Sequence, residues 1–389
     1  MGSIQSLISL QPVLFLILIL VFLIQLSYYL FFYRRPLAQI NKEKKGKVSF
    51  SDSEPGISVI IYANNDSEQL NKHLGAFLDQ DYPKFEVIVV NDGSTDETED
   101  VLSIYEGKYD NLYHTFLADG ARNLSRRKLS LTLGIKAAKY DIVALSNANC
   151  SPQSNQWLRL IARNFTEKTD IVLGYTSFEK RKGIGERFVA FDLLLRSIRI
   201  FGYTIAVKPF IGEGTNLAYR KVRFFEKKGF SKFMHLQMGD DDLFINQIAT
   251  ESNTRVELSE GAFMNASFDS NKAGWRQLKR NGAFTSQFYN SASKLFFGFE
   301  STTRYLFYII AVLILLAGTS NIALASATAA LVVIRCLLLS LFWFITGKKM
   351  NTRRFFFTAP IFDLFTPISN LFFKIENFFN KKRNYTWRL

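Results

Sequence analysis

ISVIIYANND at Ile57–Asp66 and FEVIVVNDGSTD at Phe85–Asp96 are the two stretches that decide how this chain folds. Each opens as a short apolar run of strand length; Pro55-Gly56 introduces the first, and a Pro-containing turn and Asp92-Gly93 bound the second. Between them, from Ser67 to Leu78, apolar residues recur with helical spacing. Strand, helix and strand in about 30 residues make a βαβ unit, which predicts an α/β fold with a mostly parallel, doubly wound sheet. The pattern continues with a helix around Thr95–Tyr105, another around Ser125–Ala138 and a third strand, DIVALS, at Asp141–Ser146. In such sheets ligands bind outside the carboxyl ends of the strands, so polar groups there are the ones to inspect.

Working outward, VLFLILILVFLIQLSYYLFFY (Val13–Tyr33) carries no charge and is long enough, at ~1.5 Å per residue, to cross a ~30 Å hydrocarbon core. Met1–Gln11 has no basic side chain, and the run ends in aromatics and Arg34-Arg35, which favours a retained anchor over a cleaved leader. The basic flank predicts an outside N-terminus and a cytoplasmic domain from Arg34 onward. Near the other end, Tyr305–Gly318 and Ile322–Ile345, divided by Thr319-Ser320-Asn321, predict a membrane hairpin. Its first arm is short unless it begins near Thr302, and Arg335 in the second is either functional or a snorkelling side chain. The tail, FFFTAPIFDLFTPISNLFFKIENFFNKK, mixes aromatics, charges and prolines as an interfacial segment does. The expected layout is an anchor at 1–33, a basic linker at 34–54, a cytoplasmic domain at 55–281, an interfacial segment at 282–303, a two-span hairpin at 304–346 and an interfacial tail at 347–389.

The chain has 48 Lys and Arg against 34 Asp and Glu, a formal charge of +14. Cations such as Arg34, Arg35, Lys348, Lys349, Lys381, Lys382 and Arg383 flank apolar segments, so the partner they imply is a membrane surface; no nucleic-acid motif accompanies them. Cys150 and Cys336 support neither a disulfide framework nor a cysteine metal site, and His73, His114 and His235 lack ligand spacing.

Four polar groups carry chemistry. Asp92, at a strand end, can accept hydrogen bonds from a nucleobase imide or ribose hydroxyls, although Asp92-Gly93 is also a common turn and Ser94, Thr95 or Asp96 can cap a helix. Arg126, Arg127 and Lys128 open a helix where cations and free N–H groups meet diphosphate oxygens, or where a basic face is simply solvated. Asp240, Asp241 and Asp242 are adjacent carboxylates whose mutual repulsion raises at least one proton affinity if they are partly buried; the alternative is a solvated turn capping Leu243–Ala249. Gln277 and Arg280 share a helix face beside Trp275, either to hold a diphosphate and line an acceptor path or as an ordinary amphipathic surface.

SVIIYANND (Ser58–Asp66), FLDQDYPKFEVIVVNDGSTDET (Phe77–Thr98), SRRKLSLTLGIKAAKYDIVALS (Ser125–Ser146), GEGTNLAYRK (Gly212–Lys221), GDDDLFIN (Gly239–Asn246) and GWRQLKRN (Gly274–Asn281) together resemble the ordered motifs of family 2 glycosyltransferases. These are inverting enzymes with an A-type fold, cellulose and hyaluronan synthases among them. The resemblance implies a bacterial inner-membrane enzyme that moves a sugar from a nucleotide-sugar, by family habit uridine diphosphate-linked, to a lipid-linked or glycan acceptor. It makes Asp92 a nucleobase ligand, Gly214 and Asn216 part of the acceptor region, and Gln277 with Arg280 the leaving-group contacts. Asp240 or Asp241 becomes the base, leucine spacing favouring the first and the Gly-Asp-Asp unit the second. Asn281 stands where the family has Trp or His, which argues against processive polymerisation. Asn147-Ala148-Asn149 replaces Asp-x-Asp, so Asn147 would face the nucleotide and Asn149 would be a weak ligand for Mg²⁺ or Mn²⁺. Three outcomes stay open: the nucleotide carries the metal, basic residues (Arg126, Lys128, Arg280) replace it, or the chain is a non-catalytic membrane subunit for binding or assembly.

Overall fold

A computed structural model describes residues 2–118, 124–268, 271–317, 321–380 and 385–386. In chain order the strands are β1 Ile57–Ala63, β2 Phe85–Asn91, β3 Leu112–Phe116, β4 Ile142–Asn147, β5 Cys150–Pro152, β6 Ile171–Gly174, β7 Thr176–Phe178, β8 Leu217–Arg220, β9 Thr254–Glu257 and β10 Met264–Ala266. The helices are α1 Gly2–Tyr28, α2 Arg34–Lys44, α3 Ser67–Leu78, α4 Thr98–Glu106, α5 Arg126–Ala137, α6 Trp157–Ala162, α7 Ile184–Ala206, α8 Lys221–Glu226, α9 Asp242–Ile248, α10 Asn271–Thr285, α11 Ser291–Leu316, α12 Ile322–Lys349 and α13 Ala359–Phe379.

The main sheet runs β3-β2-β1-β4-β8-β6-β9. β1 is parallel to β2 and β4, β2 to β3 and β6 to β9, while β8 is antiparallel to both its neighbours. Central strands are buried on both faces, which is why Ile57, Val59, Ile60 and Ile61 read as a continuous apolar run. Alternate residues go to opposite cores: Ile60, Ile88 and Val90 pack toward α5 and α7, whereas Val59, Ile61, Val87 and Val89 pack toward α3 and α6. β3 went unpredicted because its sequence, LYHTF, is only partly buried at the sheet edge. The chain leaves β1 to build β2 and β3 on one side and then crosses to β4 on the other. A crevice therefore forms at the carboxyl ends of β1 and β4, where Tyr62 and Asn147 are in register.

Among the described residues three helices, Leu10–Lys44, Ser291–Leu316 and Ile322–Lys349, are long and apolar enough to cross a membrane. The first is continuous: a π-helical stretch at Tyr29–Tyr33 joins α1 to α2, so part of the expected linker extends the anchor. Pro36, Leu37 and Ile40 of α2 are buried, and α2 packs on α7. The hairpin's first arm starts well before the expected boundary, because Asn290 caps α11 by accepting a 2.8 Å bond from the Ser293 amide. Thr319 and Ser320, read as its divider, and Lys381, Lys382 and Arg383 lie outside the described residues.

Arg335 does not snorkel. Its guanidinium bonds Asp363 at 3.0 Å and sits 4.7 Å over the Phe307 ring. Arg304 pairs with the other Asp363 oxygen at 3.0 Å, Tyr308 donates to Asp363 at 2.8 Å, and Glu300 joins Arg304 and Arg199. This buried network ties α13 to the two helices of the hairpin. The rest of α13 has an unusual polarity: Phe362, Asp363 and Thr366 face inward, while Ile361, Leu364, Phe365, Ile368, Phe372 and Ile375 are exposed at helical spacing. An outward apolar face of this kind suits a helix lying in a membrane interface.

Candidate active site

The strand ends carry a connected polar network. Asp92, 4% exposed, follows β2 directly; its two oxygens accept from Arg126 Nε at 2.7 Å and Tyr62 Oη at 2.8 Å. Its carbonyl accepts from Asn64 Nδ2 at 2.6 Å. Gly93 supplies the turn with φ +62°, and the residues after it are stitched to the segment that follows β1. Ser94 accepts from the Asn65 amide, and Asn65 accepts from Thr95. Asp96 caps the starts of both α3 and α4 through Ser67 and Thr98.

Ser125 caps α5, accepting from the Lys128 amide, and the first turn of α5 then divides its three cations. Arg127 is central: Nε donates to Asp240 at 2.6 Å, a terminal nitrogen donates to Asn147 Oδ1 at 2.9 Å, and the guanidinium lies 4.8 Å over the Tyr62 ring. Lys128 points elsewhere. It is fully buried, and its ammonium donates to the carbonyls of Leu236 and Met238 at 2.7 and 2.6 Å. Burial lowers its pKa to about 8 against the pull of Asp240. Lys128 thus holds the segment leading into the acidic motif, and its position three and seven residues before Leu131 and Ile135 put it on the core stripe of the helix.

The three aspartates separate into three roles. For Asp240, burial raises proton affinity but Arg127 and Lys128 outweigh it and hold the carboxyl below the usual range. Asp242 is half-buried and also raised, by desolvation; it accepts 2.5 Å from Tyr289 Oη and from its own following amide at the start of α9. Asp241 is raised well above the ordinary carboxylate range, first by burial and then by the neighbouring Asp240 charge. One of its oxygens accepts from the Gly214 amide at 2.8 Å, and the other is buried with no hydrogen-bond partner among the described residues. A Cβ on residue 214 would lie 2.2 Å from Asp241 Oδ1, so only glycine permits this approach.

The Asn147-Ala148-Asn149 turn is a poor cation cradle. The Asn147 oxygen is taken by Arg127, and Asn149 donates to the Ser267 carbonyl at 2.7 Å while its oxygen faces the Cys150 thiol at 3.7 Å. No cluster of three His, Cys, Asp or Glu side chains with metal-holding geometry exists among the described residues. These donors do not fit a divalent ion, since hard cations need several free, preferably anionic oxygens.

Residues 58–221 match the profile of the family described as glycosyl transferase family 2. The chain carries a family 2 glycosyltransferase domain. Glycosyltransferase AglE of Haloferax volcanii is 32% identical over 142 residues, covering 35% of this chain and 45% of that protein. A probable glycosyltransferase, YdaM of Bacillus subtilis, is 29% identical over 185 residues, covering 45% of this chain and 42% of that protein. The chain thus spans less than half the length of either relative. In fold it is similar to a mannosyltransferase from Pyrobaculum calidifontis solved with GDP-Man and Mn²⁺, with a TM-score of 0.51 and 18% identity over 92% of this chain and 99% of that one. The domain is therefore an A-type α/β transferase fold.

Around this glycosyltransferase domain the remaining sequence-derived residues are placed as follows. Asn216 is an internal brace: 1% exposed, it accepts from Trp157 Nε1 at 3.0 Å and donates to the carbonyls of Tyr175 and Ala262. Trp275 donates to Asp192 at 2.7 Å and is wedged between Phe188 and Phe373, which seats α10 between α7 and α13. Arg280 forms a fork with Glu376 of α13, at 2.7 and 3.2 Å. Gln277 and Arg280 line a cavity together with Gln237 and Met238, the residues that precede the acidic motif. Sequence reasoning passed over Tyr62 and Tyr289. Tyr62 had a signal, a polar aromatic next to the end of an otherwise buried strand; Tyr289 had none, being joined to Asp242 only by the fold.

Proposed function

We propose that the chain is a membrane-bound inverting glycosyltransferase that moves a sugar from a nucleoside-diphosphate donor to an acceptor hydroxyl, with Asp241 as the base. The observation that carries this is the Asp241 carboxyl: half-buried, high in proton affinity, fixed through one oxygen by the Gly214 amide, and without a hydrogen-bond partner at the other among the described residues. A carboxylate in that state accepts a proton more readily than an ordinary aspartate. The acceptor oxygen attacks the anomeric carbon as its proton passes to Asp241; the bond to the diphosphate breaks, and its electron pair leaves with the nucleotide. Asp92, with Asn64 and Tyr62 around it, holds the nucleobase or ribose, and Arg126 and Arg127 meet the charge that grows on the leaving group. No divalent ion is assigned a step, because Asn147 and Asn149 are committed to protein partners.

In this reading the donor is uridine diphosphate-linked, as family resemblance suggests, and the domain faces the cytoplasm at the inner membrane, an orientation that the basic flanks support. The test is a panel of radiolabelled nucleotide-sugars offered to the full chain in nanodiscs. Transfer or hydrolysis of one donor, lost in Asp241→Asn while that donor's affinity persists, is the expected result. No turnover of any donor that binds would overturn it in favour of a non-catalytic subunit, the reading that the Asn-Ala-Asn turn supports.

A further inference from the structure

A cavity of about 490 Å³ lies where the glycosyltransferase domain meets the apolar helices, walled by α7, α10, α11 and α13. That volume is within the ~300–1,000 Å³ of small-molecule sites. Its charge is one-sided. Arg196, Arg199, Lys279, Lys294 and Lys374 all line it, and Asp192 is the one carboxylate doing so among the described residues. Glu213 and Glu300 pair with the two arginines, Asp192 pairs with Lys279, and positive charge remains in excess. The other walls mix neutral polar side chains such as Ser301, Thr366 and Asn370 with apolar ones: Phe297 and Tyr305 belong to α11, and Leu371 and Phe373 to α13, whose outer face is exposed and apolar.

The cavity also touches the acidic motif. Tyr289 lines it and donates to Asp242. Arg196 lines it and bonds Glu213 at 2.7 Å, and the adjacent Gly214 amide holds Asp241. An anionic group resting on these cations would therefore be one residue layer from the base, with an apolar exit between two membrane-facing helices. A neutral glycan strand gives no reason for such a concentration of cations.

We propose that this cavity is the acceptor site and takes the phosphate or diphosphate of a lipid-linked saccharide. The anion rests among these cations, with Lys294 and Lys374 supplying the charge in excess of the paired Arg196, Arg199 and Lys279; the hydrocarbon chain runs out between α11 and α13, and the saccharide reaches toward Asp241. The acceptor role rests on the transferase reading above; the binding of a lipid phosphate does not.

The experiment measures binding of farnesyl diphosphate, inorganic pyrophosphate and a neutral alkyl oligosaccharide to the full chain in detergent micelles. Natural protein is compared with the double variant Lys279→Gln, Lys374→Gln and with Lys279→Arg. Farnesyl diphosphate should bind with saturation, the double variant should weaken it by about tenfold to a hundredfold, as loss of charged hydrogen bonds does, and Lys279→Arg should retain most affinity. Donor-nucleotide affinity, measured on the same samples, should stay constant and certifies that the variant is folded. Pyrophosphate binding as tight as farnesyl diphosphate would overturn the lipid assignment in favour of a simple anion site. Competition by the neutral oligosaccharide without farnesyl diphosphate binding would overturn it in favour of a glycan channel, as would unchanged affinity in the double variant. Failure of this binding alongside intact sugar transfer defeats the cavity assignment alone. Intact binding without any transfer defeats the catalytic reading alone.

Discussion

Replacing Arg127 by glutamine removes one full charge from the centre of the site while leaving an amide that can still donate to Asp240 or Asn147. In the structure this guanidinium spans 2.6 Å to Asp240 and 2.9 Å to Asn147 with its side chain 28% exposed, so it is held by the protein and still reachable by a ligand. If it supplies the counter-charge for a departing diphosphate, its loss should act mainly on turnover. Removal of one preorganised donor costs about 2.7–4 kcal/mol at the transition state, or roughly 10²–10³ in kcat. A structural cost accompanies it: a buried Asp240 without its partner destabilises the fold by up to ~3–5 kcal/mol, less here because Lys128 stays close and Asp240 can take up a proton. The assay is transfer from a radiolabelled nucleotide-sugar by the full chain in nanodiscs, across a Mn²⁺ titration and with chelator, beside a melting curve. The natural chain should work with chelator present, Arg127→Gln should lose kcat with little change in donor KM, and Arg127→Lys should fall between them. Chelator-sensitive transfer by the natural chain, together with an Arg127→Gln kcat within about threefold of normal, would refute the idea that an arginine stands in for the metal.

The same electrostatics predict that the paired change Asn147→Asp, Asn149→Asp lowers nucleotide affinity whatever the Mn²⁺ concentration; tighter, Mn²⁺-dependent binding in calorimetry would show that the turn is still a metal site. Because the Asp241 pKa is raised in the folded state, the neutral carboxyl is the stable form there. Stability from this group is thus present at acid pH and lost as pH rises through the folded value, so Asp241→Asn should raise the melting temperature at neutral pH and not at low pH. Transfer by the natural chain should rise with pH on an acid limb well above ~3.9, the value of a free aspartate; a limb at that value sinks the assignment. Asp363→Ala strands Arg304, Arg335 and the Tyr308 hydroxyl and should cost about 3–5 kcal/mol, whereas Glu376→Ala breaks a pair with a 46% exposed arginine and should cost ~0–1 kcal/mol. Equal melting shifts for the two would contradict the network's role. A periplasm-only reporter fused after Lys47 should stay silent, and an active one would reverse the proposed orientation.

The sequence alone determined the βαβ order, the parallel centre of the sheet, the first long apolar helix and the strand-end position of Asp92. All of these follow from local periodicity: strands buried on both faces must be apolar throughout, and a membrane span must be apolar over its length. It also brought the acidic motif into view, but not which of its carboxylates differs from the others. That depended on contacts from distant segments: Arg127 takes Asp240, Tyr289 takes Asp242, and Gly214 approaches Asp241 closely enough to fix one oxygen and leave the other unpaired. The same held for Lys128 and Arg127, neighbours of like charge in the chain. The ~100° between adjacent residues of a helix points the first into the core and the second into the site, and a helix face has no meaning until something packs against it. Arg335 makes the point for the membrane hairpin: its partner, Asp363, lies 28 residues away on another helix, and only their packing decides that the charge is paired rather than exposed.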